Sequence, residues 1–447
     1  MTVSTIACFA GAAQLGFHPW IHTQGWNPSC RGASALAGAY RPGSQRFVRP
    51  CVLGEGDQDD SRTCTAVTAV CMMSGEQAPR GSTKATEQRR HQVLGLGSAG
   101  VDFIAMLDRY PPADSKVRTQ SLEIMGGGNC GNTLVAASRL GLDAHIATKV
   151  GSDGNGRIIL EELVQEGVDT SRVIISDNTP SAFTYVIVDR EGGTRTCLHT
   201  PQAEEILPQE ISPDLLEGMS LVHLDSRHTP AAVALARLAN ERGIPVMVDA
   251  EKDRPHFREL LPLADYLICN RDFPQAFTGR STREEALHDL LHQGRAKLVA
   301  STLGAEGCVV MTRHGESPWP EFEDLSIPPR CPMDISSTQL RPEAFVKDGE
   351  KIEDRGHVGP GVGLSCVKAG AWPVKESDVV DTTGAGDSFI AAFIYGILHR
   401  MGIGRTLALA SLVASRKLSK PGARRGIPKA HELLSEWPEL LATTTPA

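Results

Sequence analysis

The sequence predicts an α/β fold: a mostly parallel central sheet with helices on both faces and a small β lid across one end. Three observations predict it. Short apolar runs of the kind buried on both faces recur at 93–96, 144–150, 221–224, 245–248, 266–269, 297–300 and 308–311. Helical patterns separate many of them, at 133–140, 157–166, 231–242 and 257–261. Two segments, 121–125 and 182–189, look instead like strands with one exposed face.

The chain has 447 residues, room for two or three domains or for one large α/β domain with extensions. Hydrophobic residues make up 41% and charged residues 22%, enough for a real core. With 45 basic and 53 acidic residues the formal charge is −8, which argues against broad nucleic-acid binding. No run approaches the roughly 18 apolar residues of a transmembrane helix, so no membrane span is expected. The eleven cysteines include no Cys-x-x-Cys pair and no zinc spacing.

Residues 1–90 read as a leader, not as fold. Residues 1–50 hold no Asp, Glu or Lys, but contain Arg31, Arg41, Arg46 and Arg49 among small residues. That is the composition of an organelle transit peptide. Plastid is favoured over mitochondrion, because the segment lacks an Arg-rich amphipathic pattern. A merely disordered tail on a cytoplasmic protein is the bland alternative. The ordered domain is expected over 91–447, with lid strands at about 116–128 and 181–200. Residues 316–374, with eight prolines, many charges and no sustained periodicity, read as a surface insertion.

Three Gly-rich elements bear the chemistry. In Asp381-Thr382-Thr383-Gly384-Ala385-Gly386-Asp387-Ser388-Phe389, an apolar helical pattern begins at Phe389, so Gly384, Ala385 and Gly386 open a helix. The unpaired N–H groups and positive dipole end there suit an anion. Asp387, in the first turn, is placed to accept the proton of an attacking hydroxyl, although an isolated Asp there more often only complements the dipole. In Gly126-Gly127-Gly128-Asn129-Cys130-Gly131-Asn132-Thr133, Gly128, Asn129 and Asn132 offer close backbone approach and amides suited to hydroxyls; alone, this run is only a flexible turn. Asp102, just after the first strand, lies where ligands bind in open α/β sheets, or is an ordinary loop residue. Gly95-Leu96-Gly97-Ser98-Ala99-Gly100 matches the dinucleotide fingerprint, but Pro111 and Pro112 leave little room for the helix it requires.

Together these elements resemble the PfkB (ribokinase-like) carbohydrate kinases, and within them the ketohexokinase-like branch. The resemblance is borne by Asp102, Leu107-Asp108-Arg109-Tyr110-Pro111, Asp114-Ser115-Lys116-Val117-Arg118 and Gly127 to Asn132, in that order. Val248-Asp249-Ala250-Glu251-Lys252-Asp253-Arg254-Pro255, Ser301-Thr302-Leu303-Gly304-Ala305-Glu306-Gly307 and the Asp381 to Phe389 signature continue it. It implies a ribokinase-like three-layer αβα sandwich that phosphorylates a hydroxyl of a small sugar or polyol with ATP and Mg²⁺, with a monovalent cation as a further expected cofactor. Asp387 would be the base, and the Gly384, Ala385 and Gly386 backbone the anion hole. Asp102, Asp114, Gly128, Asn129 and Asn132 would hold the sugar, and Thr302, Gly304 and Gly307 would border the nucleotide. The lid leaves room for a homodimer formed through it. One departure stands out: the family's Asn-x-x-Glu motif reads Asn270-Arg271-Asp272-Phe273, which leaves Asn270 as the metal-side candidate. The alternative is a non-catalytic scaffold on the same fold within an organelle complex.

Overall fold

The computed structural model describes residues 90–177, 179–192, 194–202, 204–313, 323–340 and 364–441. The predicted leader lies outside them apart from Arg90, as do 316–322 and 341–363 of the predicted insertion.

The chain enters through β1 (Gln92–Leu96), passes directly into β2 (Gly100–Leu107), and returns along β3 (Ser121–Gly127) to α1 (Asn129–Arg139). Next come β4 (Asp143–Ala147), β5 (Lys149–Gly151), α2 (Gly154–Gln165), β6 (Ile174–Ser176) and the hairpin β7 (Phe183–Asp189) and β8 (Thr194–Thr200). Strands and helices then alternate: β9 (Leu221–Leu224), α3 (Thr229–Glu241), β10 (Val246–Ala250), α4 (Phe257–Leu260) and β11 (Tyr266–Cys269). After α5 (Phe273–Thr278) and α6 (Arg283–His292) come β12 (Leu298–Thr302), β13 (Cys308–Arg313), β14 (Ile335–Leu340) and β15 (Leu364–Ala369). The described chain ends with α7 (Ala385–Leu398), α8 (Ile403–Lys417) and α9 (Ala430–Glu436).

The central sheet has the order β14-β15-β13-β12-β11-β10-β9-β1-β4. From β12 to β4 every pairing is parallel, whereas β13, β15 and β14 add antiparallel neighbours at the far edge. Helices cover both faces. One core cluster joins Leu134 of α1, Ile159 of α2, Phe393 of α7 and Leu409 of α8. The other joins Leu235 of α3, Phe257 of α4, Phe273 of α5 and Leu290 of α6. Burial on both faces explains why these strands read as unbroken apolar runs.

Above the carboxyl end of this sheet lies the lid, a four-stranded sheet in the order β3-β2-β7-β8. Ile104, Met125 and Val186 bury one of its faces. Across the other runs a register row, Ile124, Phe103, Tyr185 and Leu198, whose Ile124, Tyr185 and Leu198 are exposed.

One expectation holds and one changes. The stretch after the first strand is itself a strand, β2, so the GxGxxG match precedes no helix and is no dinucleotide site. Residues 335–340 and 364–369, inside the supposed insertion, pair with each other and extend the main sheet through β13. Neighbouring prolines and charges hide these short runs, yet Leu364, Cys366, Val367 and Ala369 are buried.

Candidate active site

Ser98, Arg227 and Glu251, which follow β1, β9 and β10, line the site at the carboxyl edge of the parallel strands, where open α/β sheets bind ligands. α7 opens at Gly384 with φ 78 and with no side chain capping it. A Cβ at Gly384 would come within 2.5 Å of the Ala423 carbonyl oxygen, so only glycine makes this approach. A Cβ at Gly386, by contrast, would meet no atom within 4 Å and would project into free space. The mouth of the helix is therefore an uncapped, roomy seat for an anion.

Asp387 is 8% exposed in the first turn of α7, and its Oδ2 accepts a hydrogen bond from Asn132 Nδ2 at 2.9 Å. The early Gly-rich run and the late one thus meet side chain to side chain. Burial, with the fields of Glu251 and Asp225, pushes the Asp387 carboxyl up to about 7, against the pull of the Asn132 hydrogen bond and Arg424. A carboxyl so placed is ionised only around neutral pH and above, where it can accept a proton.

Asn132 is oriented in turn. Its Oδ1 accepts from Arg424 Nε at 2.9 Å, while Arg424 also donates to the Gly127 carbonyl at 3.0 Å and to Glu162 at 3.1 Å. Arg424, 2% exposed, fixes which end of the Asn132 amide faces Asp387. Asp102 lies on β2 opposite Thr184 of β7, which donates a hydrogen bond to it. Burial still holds its carboxyl above the usual range. Asn129 donates through its backbone N–H to Ser98 Oγ at 3.1 Å, and its amide lies 3.5 Å from Asp249.

Asp102, Gly128, Asn129, Asn132, Gly386 and Asp387 line one cavity of about 460 Å³ between the sheet edge and the lid. Arg195 of β8 closes it on one side, bonding Asp381 ahead of α7 at 2.5 Å. Asp381 also accepts from the N–H groups of Thr383 (2.9 Å) and Gly422 (2.8 Å), so the loop feeding the anion seat is held from several sides.

Not every expected residue joins this group. Asp114 is exposed in the loop between β2 and β3 and does not line the cavity. Thr302, Gly304 and Gly307 lie beyond the cavity wall, on a separate shelf at the ends of β12 and β13. Thr302 Oγ1 donates to the Cys269 carbonyl at 3.3 Å, which joins this shelf to β11. Asn270 belongs to the same edge, but its Oδ1 accepts from the N–H groups of Asp272 (3.2 Å) and Phe273 (2.9 Å). It caps α5 and so does not fit a metal ligand. The position of the family's glutamate is Phe273, 3% exposed, with its ring 5.0 Å from Phe277 and 5.4 Å from Phe257. Aromatic packing has taken over that position. Among the described residues no three His, Cys, Asp or Glu side chains gather as a metal cluster.

Sequence reasoning missed Arg424 and Asp225. Arg424 had a signal, the glycine-flanked turn Gly422-Ala423-Arg424-Arg425-Gly426 after α8. Asp225 follows β9 as Asp102 was thought to follow β1. It accepts from Ser98 N (2.8 Å), Ser98 Oγ (2.5 Å), Cys130 N (3.2 Å) and Arg227 N (3.0 Å), and so ties the loops after β1 and β9 to the first turn of α1.

Comparison with known proteins matches this architecture. The model of the pfkB family carbohydrate kinases matches residues 90–326 and 365–430, leaving 327–364 unmatched. The ATP-dependent ribose-1-phosphate kinase of Halopiger xanaduensis is 28% identical over 336 residues, covering 74% of this chain and 94% of the relative. The ribokinase of Bacillus subtilis is 25% identical over 342 residues, covering 76% and 96%. Among solved structures, Arabidopsis thaliana ribokinase complexed with ribose and ATP superposes with a TM-score of 0.59 at 21% identity, covering 80% of this chain and 100% of that one. The match spans both Gly-rich runs and the sheet between them, and the chain belongs to the pfkB family of carbohydrate kinases.

Proposed function

We propose that the protein transfers the γ-phosphoryl group of ATP to a hydroxyl of a small sugar of ribose or ketohexose size, with Asp387 as general base. The observation that carries this reading is the 2.9 Å contact between Asn132 and Asp387 at the uncapped mouth of α7. It brings an amide suited to a polyol, a base and an anion seat into one cavity. In the step proposed, the acceptor hydroxyl oxygen bonds to the γ-phosphorus as the bond to the β–γ bridging oxygen breaks. The hydroxyl proton passes to Asp387, and ADP leaves. The backbone at Gly384, Ala385 and Gly386 faces the charge on the transferred group. Asp102, Asn129 and Asn132 hold the acceptor, and the lid excludes water so that transfer outcompetes hydrolysis.

Mg²⁺ brought by the nucleotide would supply neutralisation of the phosphate charge, and among the described residues no His, Cys, Asp or Glu cluster is gathered to hold it. The exposed row Ile124, Tyr185 and Leu198 supports pairing with a second copy through the lid. Tyr185→Asp should then give a monomer in sedimentation; an unchanged mass would remove that pairing.

The test of the kinase reading is ATP turnover across a sugar panel, with Asp387→Asn as the control. Turnover in the wild type that vanishes in the variant while ATP binding stays supports the base. Equal turnover in both would overturn it.

A further inference from the structure

α8 ends on a buried charge that the proposed reaction does not use. Lys417, in its last turn, is 0% exposed. Its ammonium donates to the Asp381 carbonyl at 2.6 Å and to the Lys420 carbonyl at 3.4 Å, and Asp381 Oδ2 stands 4.0 Å away. A buried ammonium is costly unless such oxygens replace its water. Burial pulls it down to about 8, against the field of Asp381. The turn after α8 grips the same loop at further points. The N–H groups of Val380 and Asp381 donate to the Leu418 carbonyl at 2.8 and 3.2 Å, and Gly422 N donates to Asp381 Oδ2 at 2.8 Å. Among the described residues, only Lys417 takes the Asp381 carbonyl. A peptide unit is planar and trans, so its C=O and the following N–H point opposite ways. With the Asp381 carbonyl turned to Lys417, the Thr382 N–H is turned away from it. No acceptor among the described residues takes that N–H, and Thr382, Thr383, Gly384 and Gly386 line the cavity. Lys417 thus orients the first peptide unit of the run that leads into the anion seat.

We propose that Lys417 is a positioning residue for phosphoryl transfer, its ammonium doing for this loop, from within the chain, what a bound monovalent cation would do. This rests on the kinase reading above and deepens it at the anion seat. The ammonium fixes the peptide unit between Asp381 and Thr382, so the loop needs no rearrangement as charge develops on the transferred group. It also answers the Asp381 carboxylate. Burial opposes that charge, yet the Thr383 hydrogen bonds and Lys417 hold the carboxyl below its usual range. Left unanswered, a carboxylate just ahead of Gly384 would repel an incoming phosphate. Arg195 answers it too, but from the lid and partly exposed, whereas Lys417 is closed off from solvent. The resemblance implies a monovalent cation, and a free ion ordering this loop would need the oxygens that Lys417 already holds. These residues therefore do not fit a separate ion, and the wild type works without one.

The test varies the salt at equal ionic strength among tetramethylammonium, Na⁺, K⁺ and NH₄⁺, and follows ATP turnover with the sugar that the full chain uses best. The wild-type rate should stay within about twofold across the four, because screening is the same in all. Activation by K⁺ or NH₄⁺ beyond that would mean that a separate ion binds, and would overturn the inference while leaving the kinase reading intact. Lys417→Ala removes the ammonium and leaves space for a small ion. In tetramethylammonium its kcat should fall about 10²-fold, and K⁺ or NH₄⁺ should recover about tenfold or more of that loss. A lysine that only supports the fold would give a variant that answers all four salts alike, an outcome that sinks the proposal. Lys417→Gln keeps a donor for the Asp381 carbonyl without the charge, and decides the matter if the alanine variant does not fold. Its kcat should fall about tenfold; a wild-type kcat would sink the proposal. If no acceptor is turned over, the kinase reading fails separately, and melting curves decide the site. K⁺ or NH₄⁺ should then raise the melting temperature of Lys417→Ala above its value in tetramethylammonium, and leave that of the wild type unmoved. Equal melting of the variant in all four salts, or no folding in any, counts against the site.

Discussion

The two sides of the candidate site, proposed to hold the acceptor and the nucleotide, are built on different principles. On the acceptor side, Asn132, Asp387 and Arg424 are buried and bonded to one another by side chains from α1, α7 and the turn after α8. On the nucleotide side, Thr302, Gly304 and Gly307 lie near the surface of a turn, and Asn270 is used to cap a helix. A buried network fully supplied with partners discriminates sharply, because a wrong ligand leaves some of its groups unpaired. An exposed shelf built largely of main chain does not. Side-chain changes should therefore cost most on the acceptor side and least on the nucleotide side.

The largest effect belongs to Asp387→Asn, which should lower kcat by about 10²- to 10⁴-fold, as expected for loss of a general base. Because burial lifts the carboxyl to about 7, the wild-type rate should rise with pH through about 7 as the carboxylate forms. The same shift has a stability consequence of opposite benefit. A group whose folded value stands above its unfolded one stabilises the fold below the unfolded value and loses that contribution as pH rises through the folded one. At pH 8 the neutral asparagine variant should therefore melt above the wild type, and the gap should narrow as pH falls from about 7 towards 4. A lower melting temperature for the variant at pH 8 would mean that the carboxylate is better satisfied than its burial implies.

Arg424 comes next. Arg424→Met leaves Glu162 and Asn132 without their buried partner, a change expected to cost about 3–5 kcal/mol of stability. Its catalytic effect runs through Asn132, so the telling readout is the pH profile. Arg424 pulls the Asp387 carboxyl down, and its loss should move the acid limb of the rate to higher pH. A merely structural arginine would lower the amount of folded enzyme and leave that limb in place.

How legible was this contrast in the sequence? The parallel strands were legible because each is buried on both faces and reads as an apolar run, as at Leu221–Leu224 and Tyr266–Cys269. The lid strand β2 was not, since its Asp102, Phe103 and Met106 are only partly covered and break any simple alternation. In the site, Asp387 and Asn132 could be singled out because glycines flank them at helix openings. Their contact at a separation of 255 residues could not be read from spacing. Arg424 and Asp225 stayed hidden for a related reason: each acts through partners that only the fold assembles. Asp114 and Asn270 show the converse, residue types suited to a ligand whose surroundings give them other company.

Asn270 offers the mildest test of the contrast and a sharp one. Its Oδ1 accepts two N–H groups that open α5, and its amide donates to the Glu251 carbonyl at 3.2 Å. If it serves as a cap, Asn270→Ala should lower stability by about 1 kcal/mol and leave KM for ATP within about threefold. Asn270→Asp retains an acceptor for the same two N–H groups and should restore most of that stability. If Asn270 instead supported a metal on the nucleotide side, alanine would raise the Mg²⁺ concentration needed for half-maximal rate, and aspartate would lower it. A Mg²⁺ titration of the two variants, beside their melting temperatures, separates these outcomes. Because Phe273 fills the neighbouring glutamate position with an aromatic core contact, the cap is the outcome the packing favours.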